Sequence, residues 1–390
     1  MTLFPFLSRL SGVVIAAGLG LAMGCHKEAA SGPINPIAAP GDSTVITTFR
    51  HPGVVNSAAS LDLIAAQANA GNTVRVAGYN QVVDYMSLNA VPTTFPTVVY
   101  AVASGSSPTE NQIRRDCILA YACALRWVKD GNVTYANQAK QILNGYANNF
   151  QRYDVAAGPS GPTEFRQTYL EAAWVTPSFV AAAEIIRYYQ VGGTGAGWSS
   201  TEVSKFSAFL NNLNDNYVNN VPGAITTINN WQASYCYAKM ALGVWFNSNT
   251  VYATGYDYLK LHLSDFIRSD GNVTECGRDC HHLQYTLTAL TYAAETARIQ
   301  GSSAVYGLNT SAIKQGWTKY EESLQGSTQC LSCQNAADNA VYPGIETASN
   351  YYGSNPLAAL RDRAAPYGVP SDKTFLGFTT FTHRGIGLVR

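Results

Sequence analysis

Eight long stretches of this chain repeat apolar residues at helical spacing, and that period limits the available folds more than any other feature. Gln112 to Val128, Val133 to Asn149, Glu171 to Tyr189, Thr201 to Tyr217, Trp231 to Asn247, Tyr256 to Ser269, Cys280 to Gln300 and Thr310 to Gln325 fit it better than strict alternation. Loops carrying Gly, Pro and Asn separate them. Ala-rich faces such as Ala172-Ala173 and Ala181-Ala182-Ala183 let helices approach closely, as layered helical folds require. Strand-like patterning is scarce until Phe375 to Val389, whose alternation predicts a short β element. The expected class is all-α.

Residues 1–24 read as an export signal, with Arg9 in a short basic region, an apolar run from Val13 to Met23, and small residues before Cys25. The run is too short for a permanent membrane span. Leu21-Ala22-Met23-Gly24-Cys25 is similar to a lipoprotein processing site, with Ala22 where Leu is usual; lipidation at Cys25 and simple secretion are the two outcomes. Residues 25–45, rich in Ala, Gly, Pro and Ser, read as a tether, and 46–390 as a single folded domain. The expected location is the periplasm or outer membrane, or otherwise outside the cell, with any membrane contact made through a lipid on Cys25.

Basic and acidic residues balance at 25 each, so no net field favours nucleic acid, and a polyanionic partner needs a local basic site. Only 13% of residues are charged while Tyr numbers 24, a composition suited to stacking against sugars as well as to an aromatic core. Beyond Cys25 lie Cys117, Cys123, Cys236, Cys276, Cys280, Cys330 and Cys333. Export permits disulfides. The CxxxC and CxxC spacings of the last four also permit a zinc site, and buried free thiols are the third alternative.

Two segments carry the chemistry. In Glu275-Cys276-Gly277-Arg278-Asp279-Cys280-His281-His282-Leu283-Gln284-Tyr285, a helix starting near Arg278 would bring Arg278, His282 and Tyr285 onto one face, with His281 beside them. A bland reading of the same residues is a helix start with Arg278 paired to Asp279 or Glu275. In the second segment, Asn229-Asn230-Trp231 precedes an apolar helix; one Asn can cap it, while the other can present an amide to a carboxylate beside a Trp plane. A cation, an imidazole and a phenol are what eliminating a uronate requires. Its C6 carboxylate must be neutralised so that H5 becomes acidic, a base must take H5, and an acid must protonate O4.

From His51-Pro52-Gly53 onward the chain resembles the alginate-lyase superfamily. Helical members carry Asn-Asn-His and, further along, Glu-x-x-Arg with a Tyr seven residues past the Arg; Asn229-Asn230-Trp231, Glu275, Arg278 and Tyr285 follow that layout. Asp116 to Trp127 and Glu171 to Arg187 are weaker matches, and Glu346 to Tyr352 is similar to a Glu-x-x-Tyr-Asn-His-Tyr segment. The resemblance implies an incomplete (α/α) toroid acting on an anionic uronic-acid polysaccharide such as alginate or glucuronan, without metal or cofactor. It makes Asn230 and Arg278 carboxylate binders and Tyr285 the catalytic phenol. Trp231 stands where the family often has a catalytic His, and Tyr351 where the related segment has another, so His282 is expected to replace the imidazole or else to orient Tyr285.

H5 and O4 are syn in mannuronate and glucuronate, so the phenol alone could take and return the proton. Its reference pKa of about 10 would have to be lowered by Arg278 or a protonated His282. Asn229, Trp231, His281, Gln167, Trp174, Tyr235, Glu346, Tyr351 and Tyr352 are the expected substrate-binding residues, with Tyr169 a further groove candidate and Glu346 alternatively holding the site by a hydrogen bond. Two other readings are a non-catalytic polysaccharide-binding lipoprotein on the same scaffold and a toroidal glycoside hydrolase, for which no carboxylate pair stands out.

Overall fold

The computed structural model describes residues 46–326, 330, 333, 341–353, 355 and 357–387. The export, lipidation and tether expectations for residues 1–45, Cys25 included, lie outside them. The helices are α1 Ala58–Asn69, α2 Thr73–Leu88, α3 Pro108–Asp130, α4 Val133–Asn149, α5 Gln167–Tyr188, α6 Ser200–Asn216, α7 Val221–Ala224, α8 Asn230–Phe246, α9 Asn249–Phe266, α10 Cys280–Gln300, α11 Ala304–Leu324, α12 Gly344–Tyr352, α13 Ala358–Asp362 and α14 Thr379–Thr382.

Local signals set where these helices begin and end. Ser107 with Glu110, Ser199 with Glu202 and Asn229 with Gln232 form reciprocal capping boxes at α3, α6 and α8. Gly131 and Gly301 close α3 and α10 in the left-handed conformation. Two expected boundaries move: α9 starts at Asn249, capped by Ser248, and α11 starts at Ala304 and breaks at Leu308 to Ser311 before resuming.

The helices form two layers, the incomplete (α/α) toroid. α3, α5, α8 and α10 pack side by side as the inner layer, and three of them are backed by the helix that follows in the chain: α3 by α4, α8 by α9, α10 by α11. Burial follows this arrangement. α5 is buried at every position from Leu170 to Ile186 and α10 from Leu283 to Gln300, whereas α4 buries only Ala136, Ala139, Ile142, Leu143, Gly145 and Tyr146. Close approach of α8 to α9 depends on Gly243, where a Cβ would lie 2.4 Å from the Tyr252 backbone nitrogen.

The described strands are short. β1, Val98–Ala101, pairs in parallel with β2, Arg152–Val155, and β3, Gln190–Val191, forms a hairpin with β4, Thr194–Gly195. The β element expected over Phe375 to Val389 is absent from its described part, 375–387, which holds α14 instead. Its alternation misleads because Thr374 to His383 are buried without interruption, so no exposed face exists; the Thr379 and Thr380 hydroxyls bond to Glu346.

Candidate active site

At the N-terminal ends of α5, α8 and α10 opens a cavity of about 600 Å³ lined by Gln167, Arg166, Asn229, Trp231, Arg278 and the Gly223 to Thr227 turn, among others. The turn Thr274–Gly277 delivers Arg278 to it. Arg278 is not a helical residue, as the one-face spacing supposed. Asp279 takes the N-cap position of α10 and accepts from the His282 backbone N–H at 2.9 Å, which leaves Arg278 outside the helix. Both partners foreseen for Arg278 are present, Glu275 at 3.5 Å and Asp279 at 3.8 Å, yet its side chain keeps 53% of its exposure.

Glu275 ties three elements together. It accepts from the Asn230 backbone N–H at 3.0 Å, from Asn230 Nδ2 at 2.7 Å and from the Thr286 hydroxyl at 2.7 Å. Burial pushes its carboxyl above the usual range against these hydrogen bonds. Asn230 is therefore fully buried behind the cavity wall, and the carboxylate-binding role expected of it does not fit. Asn229, capping α8 through the Trp231 N–H at 2.9 Å, is the Asn that lines the cavity, with half-buried Trp231 beside it.

The imidazole and the phenol stand next to each other on α10. His282 Nδ1 lies 2.6 Å from Asp279 Oδ2, so the carboxylate holds the Nδ1–H tautomer and leaves Nε2 as the acceptor. Burial opposes ionisation of Asp279, but the hydrogen bonds from His282 hold its carboxyl below the usual range. The Tyr285 ring is 5.2 Å from the His282 ring, and its hydroxyl donates to Asp372 Oδ2 at 2.6 Å. Burial, and then the Asp372 charge, push the phenol well above its ordinary value. The expectation that Arg278 or His282 would lower it fails: Asp372 is the nearer charge, and of opposite sign.

Contacts run from the cavity wall to Tyr285 on both sides. On one side, Arg278 leads through Asp279 to His282. On the other, Gln167 Nε2 lies 3.5 Å from Glu171 Oε1; Glu171 binds Arg114, whose guanidinium sits 4.9 Å above Trp174, which meets Tyr285 edge-on at 5.7 Å. Trp174 is thus buried among these side chains and not an open platform. His281 lies on the Tyr342 side of the same turn, rings 6.2 Å apart.

Four expected binding residues sit elsewhere. Tyr235 is buried against Tyr258 of α9, between the helical layers. Tyr351 stacks on Tyr306 at 3.9 Å and Tyr352 donates to the Tyr306 carbonyl at 2.7 Å. Both belong to the opposite end of α10, where Arg298 lies over Tyr351, thirteen residues or about 20 Å beyond Tyr285. Glu346 is fully buried on the Thr379 and Thr380 hydroxyls and Arg384, so its hydrogen bonds hold the C-terminal segment and not the site its alternative reading had it hold. Sequence reasoning missed Asp372, Tyr342, Arg114 and Arg166. Only Glu110 and Arg114, an i,i+4 pair at 2.9 Å, left a local signal.

The last four cysteines form disulfides, Cys276 with Cys330 and Cys280 with Cys333, on either side of Arg278; Cys117, Cys123 and Cys236 are free and buried. No group of metal-binding side chains occurs among the described residues.

A family model described as Alginate lyase matches residues 80–319. Among solved structures, the chain is similar to alginate lyase A1-III from Sphingomonas species A1, with 16% identity, 85% of this chain and 98% of that one covered, and a TM-score of 0.60. An alginate lyase from Bacteroides ovatus shares 12% identity over 85% of this chain and 99% of that one, with a TM-score of 0.63. A variant of A1-III complexed with tetrasaccharide matches at 16% identity over 86% of this chain and 98% of that one, with a TM-score of 0.60. No curated protein sequence matches.

Proposed function

The chain belongs to the alginate lyase family and is a polysaccharide lyase, and from this premise we propose that it cleaves mannuronan-type alginate or glucuronan by syn β-elimination. The observation carrying the proposal is the adjacency of His282 and Tyr285 on one helix, with Arg278 reaching the cavity beside them. In this reading Arg278 and the Asn229 amide neutralise the C6 carboxylate, so that negative charge developing at C5 is stabilised. His282 Nε2, with Asp279 behind Nδ1, takes H5. The C5–H electron pair becomes the C4–C5 double bond, the C4–O4 pair leaves on O4, and Tyr285 protonates it. The imidazolium then returns a proton to the phenolate, which restores both groups.

In this reading the base and the acid project from one helix with their rings 5.2 Å apart, which supports syn geometry and disfavours guluronate, whose H5 and O4 lie on opposite faces. His282 thereby fills the place that Trp231 leaves without an imidazole, and Trp231 offers a stacking plane at the cavity. The two disulfides, with the export signal read in residues 1–24, support work outside the cytoplasm, either anchored by a lipid on Cys25 or secreted, with residues 46–390 proposed as one catalytic domain.

The test is ultraviolet absorbance of the unsaturated uronate during incubation with polymannuronate, polyguluronate and glucuronan separately. A rise on polymannuronate or glucuronan supports the proposal. Turnover confined to polyguluronate would exclude the syn assignment, and a flat trace with all three would exclude these substrates.

A further inference from the structure

Two phenols converge on a single carboxylate oxygen beside the proposed catalytic centre. Tyr285 and Tyr342 both donate to Asp372 Oδ2, the former at 2.6 Å. The other oxygen, Oδ1, accepts from the Thr374 backbone N–H at 3.1 Å and from its hydroxyl at 2.7 Å. Tyr342 is itself anchored, its backbone N–H donating to Gln284 Oε1 at 2.8 Å and its ring meeting that of Tyr285 edge to face at 5.4 Å. Arg114 on α3, already bound by Glu110 and Glu171, is a charged neighbour, and the titratable His282 stands on the same helix as the phenol.

We propose that Asp372 is the positioning residue for Tyr285, holding its hydroxyl in place through the hydrogen bond so that Tyr285 enters the elimination as the acid for O4. The inference rests on the reading of Tyr285 given above. A neutral phenol delivers its proton by rotation of the hydroxyl hydrogen about the Cζ–O bond, away from Asp372 and toward O4. Tyr342 stays on the carboxylate while this happens and keeps it partnered, which gives a physical reason for the second phenol. Once O4 is protonated, the phenolate beside Asp372 carries a like charge, and this favours rapid return of the proton from the His282 imidazolium.

Asp372→Asn retains size and an acceptor oxygen but removes the charge. It should lower kcat roughly a hundredfold with KM little changed. Asp372→Glu, which restores an acceptor carboxylate at a displaced position, should recover part of the lost kcat, again with KM little changed. Tyr342→Phe should lose kcat by a smaller factor with KM unchanged, and provides the kcat readout if Asp372→Asn does not fold. Parent-like kcat in a folded Asp372→Asn would overturn the proposal, as would parent-like kcat in Tyr342→Phe should Asp372→Asn not fold. The two readings fail separately. Full activity in Tyr285→Phe removes the catalytic phenol itself, whereas an inactive Tyr285→Phe beside an unaffected Asp372→Asn removes only the role of Asp372.

Discussion

Tyr285 and His282 stand three residues apart on α10 and meet opposite surroundings. Tyr285 is 8% exposed and bonded to an acid, while His282 is half-buried, with Nδ1 on Asp279 and Nε2 left to act. This asymmetry divides the work between them. Tyr285→Phe should cut kcat by roughly a hundred- to ten-thousandfold while binding persists, measured as turnover alongside equilibrium binding of oligosaccharide; full activity would remove the phenol from the chemistry. Arg278→Ala should reduce kcat/KM by roughly a hundredfold, because its guanidinium is exposed in the cavity that Asn229 and Trp231 also line. Unaltered kinetics would take Arg278 out of the site.

Among the elements, the segment before α10 is the most constrained part of the site. Cys276 and Cys280 bracket Arg278 and Asp279, and each is cross-linked to a residue more than fifty positions away. Cross-links closing loops of that length restrict the unfolded chain, and removing one typically costs about 2–4 kcal/mol. Replacing Cys276 and Cys330 by Ala should therefore lower the melting temperature. It should also lower turnover at temperatures where the fold persists, since Arg278 loses one of its two flanking anchors. A variant with a lower melting temperature and unchanged turnover would show that the cross-link stabilises the fold without positioning the site. The site motif was legible in the sequence at this scale because its members lie within eleven residues. The error was the helix start: Asp279 is a better N-cap than Arg278, so the helix begins one residue beyond it, and Arg278 is directed by a turn instead.

At the scale of the molecule, the inner helices are buried nearly all round, and titratable groups packed against them are cut off from water. His383, packed near Glu295 and Arg298, is the clearest case: burial foremost lowers its pKa from 6.5 to about 4. Between those values the unfolded chain binds a proton that the folded protein does not, so stability falls as pH drops through the window. The loss is on the order of 3 kcal/mol by about pH 4. Urea unfolding near neutral pH and at about pH 4 should show a steeper decline for the parent than for His383→Gln. Equal slopes would assign the acid sensitivity to other groups.

The amino-acid order by itself determined the helices of the two layers, since apolar period, caps and terminating Gly residues act within a few positions. For the same reason it brought Glu275, Arg278, Asp279, His282 and Tyr285 into one neighbourhood. Only the tertiary structure decided which neighbours these residues meet. Asp372 reaches Tyr285 across 87 positions of sequence, Tyr342 and Arg114 arrive from other elements, and Tyr235, Tyr351 and Tyr352 turn away from the cavity. Periodicity tells which side of a helix is apolar. When an inner helix is buried on every side, as α5 and α10 are, that signal no longer distinguishes a residue facing the cavity from one facing the next helix, and the choice falls to packing between elements distant in the chain.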